Sequence, residues 1–326
     1  MTFETEQLFL INRAFKQKLG LLLPDALVEY IFLARYAVCM PDRDEAIKKL
    51  KEYFKKRADV VMAFLFGSQA NKRAHSGSDW DIAVYFKPKE SAVEYEEYDR
   101  EYPEEDKIWG DLIDILKTDN VDLLVLNRTP ANIADSAIRG VSLVVKDRGL
   151  WLKFMLIITA LAEDFRKFTD DYYAIYLRST SLTPQDSDRL ERTIEFIENQ
   201  MTLYATFSGW SFDDYEKDLI KRGAVERWVE NMVNAVTDIA KIILSSSKKP
   251  APYGYADAIH TAIIYLDIRK DFWDKFLNWI KLRNVLAHEY LDIKWKRILD
   301  FIQNSEPYFK SFIDASKKFL AENKIS

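Results

Sequence analysis

The chain has 326 residues, of which 48% are hydrophobic and 30% are charged, and its formal net charge is −5. This balance excludes disordered and collagen-like chains, and the negative net charge excludes a globally basic surface, so any contact with RNA has to be local. The single cysteine, Cys39, cannot form an intramolecular disulfide, which is typical of the reducing cytoplasm. We therefore expect a cytoplasmic protein, and no apolar run is long enough to predict a membrane segment.

The length predicts two domains, each with an ample core. We expect an N-terminal helical extension over residues 1–40, a domain of strands and helices over residues 41–180, and a helical domain over residues 181–326. Near the start of the second of these, Asp42 is predicted to cap a helix that ends near Ala58.

The most informative stretch runs from Gly67 to Asp81, between two apolar runs that we predict to be strands. The first strand ends on a turn at Gly67 and Ser68, and the second carries Asp79 and Asp81. Alternate strand residues point the same way, so both carboxylates project from one face beside the turn. Mg²⁺ binds such carboxylates and takes its other ligands from water and substrate phosphates, which backbone N–H groups of a small-residue turn can approach. The pattern indicates nucleotidyl transfer.

This stretch resembles the polymerase-β-like nucleotidyltransferases, and most of all their minimal (MNT) branch. Members of that branch have G-S-x-A at the start of the motif and S-D-x-D at its end. Gly67-Ser68-Gln69-Ala70 and Ser78-Asp79-Trp80-Asp81 match both parts, whereas Lys72 stands where many relatives have glycine. A solvated strand–loop–strand with incidental acidic residues is the alternative that this spacing makes improbable.

The resemblance implies a role for each motif residue. Gly67, Ser68 and Ser78 are expected to contact the triphosphate of ATP, and Asp79 and Asp81 are expected to hold Mg²⁺. It also implies a small mixed sheet with helices around it.

A third carboxylate is expected from a later strand of the same fold. Lys87 to Lys117 is rich in Glu, Asp and Tyr, and we expect an exposed, partly helical insertion whose acids mostly form a solvated face. After it, Val121 to Leu126 is predicted to be a strand, and Asp122 is its only acidic residue. Asp122 either completes the metal site, or helps to deprotonate the acceptor hydroxyl, or only bonds the backbone at a strand end.

The remaining elements complete an α+β multidomain fold. We predict a helix over 130–139, a strand over Val141–Val145 and a long helix to about Leu177, followed by a polar linker over 179–188. Beyond the linker no strand is predicted, and helices at about 185–207, 213–245, 254–267, 270–288 and 294–322 indicate an all-α bundle.

A second group of candidate catalytic residues lies within this bundle. In a helix, Asn284 and His288 are neighbours four residues apart, and Arg283 and Tyr290 are two turns apart, so these side chains gather at one helix end. A cation beside a histidine suits RNA cleavage without a metal, because the histidine moves a proton while the arginine stabilises the phosphorane charge. The alternative is a helix end whose Arg and Asn bond neighbouring carbonyls.

The segment resembles the HEPN superfamily, whose mark is an arginine followed four to six residues later by a histidine. The tighter form R-N-x-x-x-H-x-Y is typical of HEPN toxins that pair with MNT antitoxins, and Arg283, Asn284, His288 and Tyr290 fill every position of it. The resemblance extends over residues 190–322.

Together, the two resemblances imply a fused MNT–HEPN protein of the toxin–antitoxin type. The MNT domain is expected to transfer AMP from ATP, with Mg²⁺, to Tyr290 of its own HEPN domain, in the same chain or across a homodimer. The adduct would silence an endoribonuclease that uses Arg283 and His288. Expected partners are ATP, the HEPN domain as acceptor and possible RNA substrates.

Two other functions stay open at this point. The first is a nucleotidyltransferase of the aminoglycoside or lincosamide type, which modifies a small-molecule hydroxyl and uses the helical domain as an inert binding module. The second is a non-catalytic module in which both sites have decayed.

Overall fold

The computed structural model of the chain describes residues 42–71, 78–89, 93–178, 180–269, 272–288 and 294–323, and of His288 it describes the main chain alone. The helices predicted within residues 1–40 lie outside these described residues. Within the part described, no helix is both long enough and apolar enough to cross a bilayer.

The chain divides into two compact units. The sheet unit consists of the described residues up to Lys87 together with Arg100–Val125 and Ala137–Asp147. The helical unit consists of Pro88–Asp99, Leu126–Ser136 and the chain from Arg148 onward. The domain limits expected at residues 40 and 180 stay predictions, and the long helix that starts at Arg148 belongs to the helical unit.

The sheet unit contains a four-stranded mixed sheet in the order β3-β2-β1-β4. Strand β1 pairs antiparallel with both β2 and β4, whereas β2 and β3 run parallel. The strands are β1 (Val60–Phe66), β2 (Trp80–Phe86), β3 (Val121–Val125) and β4 (Val141–Val145). All four predicted strands are present, and the mixed sheet of the predicted fold class is confirmed.

Burial along the strands explains their order in the sheet. Strands β1 and β2 are almost continuously apolar and buried, as expected for central strands that are covered on both faces. Strands β3 and β4 occupy the two edges and carry exposed residues, including Asp122. An acidic side chain can therefore stand on an edge strand next to the buried β2.

Helices of the sheet unit pack on this sheet through apolar residues at helical spacing. Helix α1 (Arg43–Lys56) buries Leu50 and Phe54, and α2 is the single turn Gly67–Ala70. Helix α3 (Glu105–Leu116) is the helical part of the insertion expected over residues 87–117. Asp42 does occupy the N-cap position of α1, but its side chain makes no capping hydrogen bond. The predicted helix is confirmed, while the predicted side-chain cap is wrong.

Helix α4 (Ala131–Ile138) leads into β4, and the helical unit then contains no strand among its described residues. Its all-α character is confirmed, although three predicted helices are interrupted. Thr202 and Leu203 interrupt the helix predicted over 185–207, Asp218 interrupts the helix predicted over 213–245, and Ser305 interrupts the helix predicted over 294–322. The helices are α5 (Arg148–Arg178), α6 (Pro184–Met201), α7 (Tyr204–Phe207), α8 (Phe212–Lys217), α9 (Leu219–Ser246), α10 (Tyr255–Tyr265), α11 (Phe272–His288), α12 (Trp295–Asn304) and α13 (Glu306–Asn323).

The core of the helical unit is rich in aromatic rings that pack edge to face. The Trp279 ring on α11 lies 5.6 Å from that of Phe301, which lies 5.5 Å from that of Phe309, and all three side chains are fully buried. Rings of this size contribute large apolar area, and their mutual geometry adds about 0.5–1.5 kcal/mol for each pair. Helix α11 is therefore a central helix, which fixes the position of the residues at its C-terminal end.

The segment between β2 and α3, which is the first part of the expected insertion, is not exposed throughout. Glu96, one of the acids predicted to form a solvated face, is only 7% exposed and belongs to the helical unit. Its φ of 51° lies in the left-handed region, which non-glycine residues rarely adopt. A charge pattern alone could not reveal that one acid of this stretch is buried.

Candidate functional site

The turn after β1 places its backbone against a carboxylate. Gly67 has a φ of 68°, and a Cβ built on it would lie 1.9 Å from Oδ2 of Asp81. Only a residue without a side chain fits there, because a methyl group would overlap the carboxylate and the left-handed backbone would be strained. Gly67 and Ser68 then open the single turn of α2.

The strand register brings the predicted acids to one edge of the sheet. Asp81 on β2 pairs with Phe66 at the end of β1 and, on its other side, stands opposite Asp122 on the parallel strand β3. Side chains opposite each other in such a pair point to the same face. Asp79 lies just before β2 rather than within it, as the residue but one before Asp81. The charges of both Asp79 and Asp122 act on Asp81, so the three carboxylates lie in the same region of the sheet unit.

Electrostatics of this edge favour a cation. Burial raises the pKa of Asp81, and the charges of Asp122 and Asp79 raise it further. Asp81 is half-buried, whereas Asp79 and Asp122 are exposed. Like charges held together repel one another, so a bound positive charge would relieve a repulsion that the fold itself imposes.

The donor set fits Mg²⁺ only in combination with a phosphate ligand. No three acidic, histidine or cysteine side chains among the described residues converge closely enough to hold a metal ion by themselves. Mg²⁺ usually binds one or two carboxylates and completes its octahedron with water and substrate phosphates. The hard carboxylate oxygens beside the Gly67 turn meet that requirement.

Two residues that the sequence did not single out hold the turn in place. Gln69 is 5% exposed, and its Nε2 donates to the carbonyl of Ser78 at 3.3 Å. Arg43 on α1 donates from Nε to the carbonyl of Gln69 at 2.7 Å and also to the carbonyl of Ala70. These bonds hold Gln69 against Ser78 and tie α2 to α1. The only available signal was the position of Gln69 within the motif.

In the helical unit, Arg283 of α11 is surrounded by partners from three other helices. Its Nε donates to Oδ1 of Asn234 on α9 at 2.7 Å, and its guanidinium lies 3.6 Å from a carboxylate oxygen of Asp164 on α5. The guanidinium carbon also lies 5.1 Å from the centre of the Tyr255 ring on α10. With 11% of the side chain exposed, Arg283 is a held cation rather than a mobile surface charge.

Asn284 is almost completely buried, at 1% exposure, and has polar partners on both sides of its amide. Its Oδ1 accepts a hydrogen bond from Arg283, and its Nδ2 donates to Oε2 of Glu96, each at 3.3 Å. Sequence analysis found Asn284 but not Glu96, Asn234 or Asp164, because these three lie far from the motif in the chain.

The other two motif residues are only partly described. His288 is the last residue of α11, so it follows Asn284 by four residues on a helix as predicted, but its side chain lies outside the description. Tyr290 lies outside the described residues altogether. Their catalytic and acceptor roles stay predictions.

Comparison with known proteins gives two family matches along the chain. Residues 48–149 match the family described as "Polymerase beta, Nucleotidyltransferase", and residues 190–316 match the family described as "Ribonuclease HepT-like". No curated protein matches the chain.

One solved structure is similar to part of the chain and is described as "Crystal structure of the toxin-antitoxin with AMP-PNP". The two are 18% identical over 39% of this chain and 91% of the other, with a TM-score of 0.29. Similarity at this level carries no argument about the present fold or its ligands.

The fold and the two motifs therefore define a protein that joins a nucleotidyltransferase domain to a HepT-like ribonuclease-family domain. The order of these two domains matches that of an MNT–HEPN fusion, so the resemblance inferred from the two motifs is confirmed.

Proposed function

We propose that the nucleotidyltransferase domain transfers AMP from ATP to Tyr290 of the HEPN domain. The observation that carries the proposal is the register that sets Asp81 opposite Asp122 beside the Gly67 turn, in a chain that also contains the complete R-N-x-x-x-H-x-Y motif. The phenolic oxygen of Tyr290 attacks the α-phosphorus, the bond to the β-phosphate oxygen breaks, and pyrophosphate leaves. The phenolic proton passes to a base.

Each residue of the sheet edge has a part in this reaction. Asp79, Asp81 and Asp122 would hold Mg²⁺, which when bound neutralises charge on the phosphates. Gly67, Ser68 and Ser78 would bind the triphosphate through the turn and the end of the following loop, because backbone N–H groups there can approach its oxygens. The alternative role of Asp122, which is exposed on an edge strand, would be to accept the phenolic proton instead of completing the metal site.

The helical domain would be an endoribonuclease that AMP silences. Arg283 would stabilise the charge of the phosphorane, and His288 would move a proton at the 2′-hydroxyl or the leaving oxygen. An adenylate on Tyr290 adds negative charge and bulk near both residues in sequence, so it would compete with RNA for Arg283. In this proposal the chain is a toxin–antitoxin-type fusion, and two copies pair as a homodimer.

The transfer is tested by mass spectrometry of the intact protein after incubation with Mg²⁺ and ATP. We expect wild type to gain AMP, the double variant Asp79→Ala/Asp81→Ala to gain none, and Tyr290→Phe to gain none. Tyr253→Phe is the matched control, since Tyr253 is 68% exposed and outside the motif, and it should be modified like wild type. Absence of an adduct on wild type, or an undiminished adduct on the double variant, contradicts the proposal.

The nuclease is tested with the unmodified double variant Asp79→Ala/Asp81→Ala and structured and single-stranded RNA. We expect cleavage that needs no metal and that disappears in Arg283→Ala and His288→Ala. If Tyr290→Phe instead still modifies an aminoglycoside or lincosamide, the small-molecule transferase is the correct function.

A further inference from the structure

Glu96 is a buried acid that neither proposed reaction uses. It lies in the insertion after β2, outside residues 190–316 that match the HepT-like family, yet it belongs to the helical unit. Its side chain is 7% exposed, and its backbone is in the left-handed region with a φ of 51°. A buried carboxylate and a strained backbone each cost free energy, so they persist only where neighbouring groups stabilise them.

Both carboxylate oxygens of Glu96 accept hydrogen bonds. Oε1 accepts from the backbone N–H of Ala131 at 3.2 Å, and Oε2 accepts from Nδ2 of Asn284 at 3.3 Å. Oε2 of Glu96 is the acceptor of this bond, so the NH₂ group of Asn284 faces Glu96. The amide oxygen of Asn284 therefore faces the opposite way, where it accepts from Nη1 of Arg283 at 3.3 Å.

Further bonds hold the segment around Glu96 in place within the helical unit. Glu97 forms a 2.8 Å ion pair with Lys281 of α11, and its backbone N–H donates to the carbonyl of Asn127 at 3.0 Å. The side chain of Asn127 in turn donates to Glu94 at 3.2 Å. The backbone bond between Glu97 and Asn127 does not depend on the Glu97 side chain, and it holds the segment so that the carboxylate of Glu96 is presented to Asn284 in a defined place.

The charges around Glu96 are consistent with this arrangement. Burial raises the pKa of Glu96, while the Ala131 amide, the Tyr98 hydroxyl and the positive charges of Lys281 and Arg283 oppose the rise. The acid thus lies in the field of Arg283, with Asn284 between them. Hydrogen bonds from Arg283 to Asn284 and from Asn284 to Glu96 thus link the motif arginine to the segment after β2.

We propose that Glu96 is a positioning residue for the ribonuclease motif. It fixes the amide of Asn284, whose oxygen then holds the Arg283 guanidinium in the orientation that stabilises the phosphorane of the cleaved RNA. The inference rests on the proposed nuclease and extends it, because the motif then depends on a residue outside the HepT-like region. Since Glu96 does not touch RNA, it acts only through Asn284 and Arg283.

The test compares Glu96→Gln with Glu97→Gln, both made in the unmodified Asp79→Ala/Asp81→Ala chain. Gln has the shape of Glu but offers either a donor or an acceptor to Asn284, so the amide orientation is no longer fixed. We expect the kcat for RNA cleavage to fall about tenfold or more in Glu96→Gln, with KM within about twofold, because orientation of a cation acts mainly in the transition state. Glu97→Gln loses the ion pair to Lys281 but leaves Asn284 untouched, so its kcat should stay within about twofold.

Two outcomes of this comparison overturn the proposal. Equal kcat in Glu96→Gln and the parent means that the contact does not position Arg283. A higher kcat means that Glu96 restrains the motif instead. If Glu96→Gln lowers the thermal midpoint, Glu96→Asp, which keeps the charge but shortens the reach, replaces it with the same expected loss.

A second readout separates this inference from the nuclease itself. The Nε–H of Arg283 is bonded to Asn234 in a nearly buried position, so its ¹⁵N-edited NMR signal, assigned by loss in Arg283→Lys, should exchange slowly with solvent. We expect exchange at least about tenfold faster in Glu96→Gln and unchanged in Glu97→Gln. If the parent chain cuts no RNA, the nuclease proposal fails, and this signal alone decides the contact; unchanged exchange in Glu96→Gln overturns the positioning role.

Discussion

At the scale of the residue, the backbone of Gly67 lies in close contact with the Asp81 carboxylate. A methyl group at position 67 has no room beside the Asp81 carboxylate. The left-handed φ of Gly67 would add a further cost of about 1–2 kcal/mol for alanine. Displacing either group moves the turn and the acid relative to each other. Reactions that depend on such geometry lose about 100-fold in rate when a group shifts by about 1 Å.

Gly67→Ala is therefore expected to lower the rate of AMP transfer at least about 100-fold and to destabilise the protein. The matched control is Gly110→Ala in the interior of α3, where a Cβ meets nothing within 4 Å. That control should keep full activity and gain about 0.5–1 kcal/mol from improved helix propensity. Initial rates of adduct formation and urea unfolding measure both. A Gly67→Ala protein as active as wild type would show that the close approach is not needed.

A substitution of Asp122 is expected to have opposite effects on AMP transfer and on the stability of the protein. Its charge contributes to the raised pKa of Asp81, so the carboxylates repel one another when no cation is present. Asp122→Asn should abolish transfer and yet stabilise the metal-free protein by about 0.5 kcal/mol. Thermal unfolding in EDTA measures the second effect, and Asp119→Asn, which removes an exposed acid just before β3, should change neither property. A destabilised Asp122→Asn protein would mean that Asp122 has a structural role.

At the scale of the element, ion pairs join α5, α6 and α9. Asp171 on α5 accepts two hydrogen bonds from Arg189 on α6, at 3.0 and 2.7 Å, and lies 2.8 Å from the buried Nζ of Lys241 on α9. Burial alone would raise the pKa of Asp171, but these two cations outweigh it and lower the pKa to about 2. The carboxylate is therefore ionised in the folded protein well below the pH at which it is protonated in the unfolded chain.

Because the folded-state pKa of Asp171 is depressed, its contribution to stability is present above about pH 4 and is lost as the pH falls towards 2. The side chain is about one third exposed, so screening reduces the contribution to about 1–2 kcal/mol. Urea unfolding across this pH range should show that the free energy of unfolding falls by about 1–2 kcal/mol more in wild type than in Asp171→Asn. Asp170→Asn, an exposed neighbour, should follow wild type. Parallel pH profiles for wild type and Asp171→Asn would exclude the effect.

At the scale of the whole molecule, the nucleotidyltransferase domain and the proposed acceptor Tyr290 belong to one chain. The proposed acceptor is therefore present at a fixed effective concentration, whether it is reached within one chain or within a stable homodimer. The fraction of protein modified per minute should change less than about twofold over a 100-fold dilution at saturating ATP. Mass spectrometry of diluted samples measures it, with the catalytically dead Asp79→Ala/Asp81→Ala chain as the blank. A rate that falls in proportion to concentration would place the transfer between freely diffusing molecules.

The reach of sequence reasoning differed between the two motifs for a physical reason. The Gly67–Asp81 motif is local: a strand, a turn and a second strand fix most of its geometry, so its residues could be named from spacing. Asp122 needed the resemblance to the family, and the register of β2 and β3 then placed it opposite Asp81. Residues Gln69 and Arg43, which hold the turn, gave little signal because their bonds go to backbone carbonyls.

By itself, the sequence determined the order of the two domains, the strands and helices that carry the motifs, and the identities of Asp81, Arg283 and Asn284, because these depend on periodicity and short spacing. Only the tertiary structure decided that Glu96, expected in a solvated face, is buried against Asn284. The two residues are 188 positions apart. Burial of a charge at that separation depends on which surfaces meet when the chain folds, and no local pattern of residues records it.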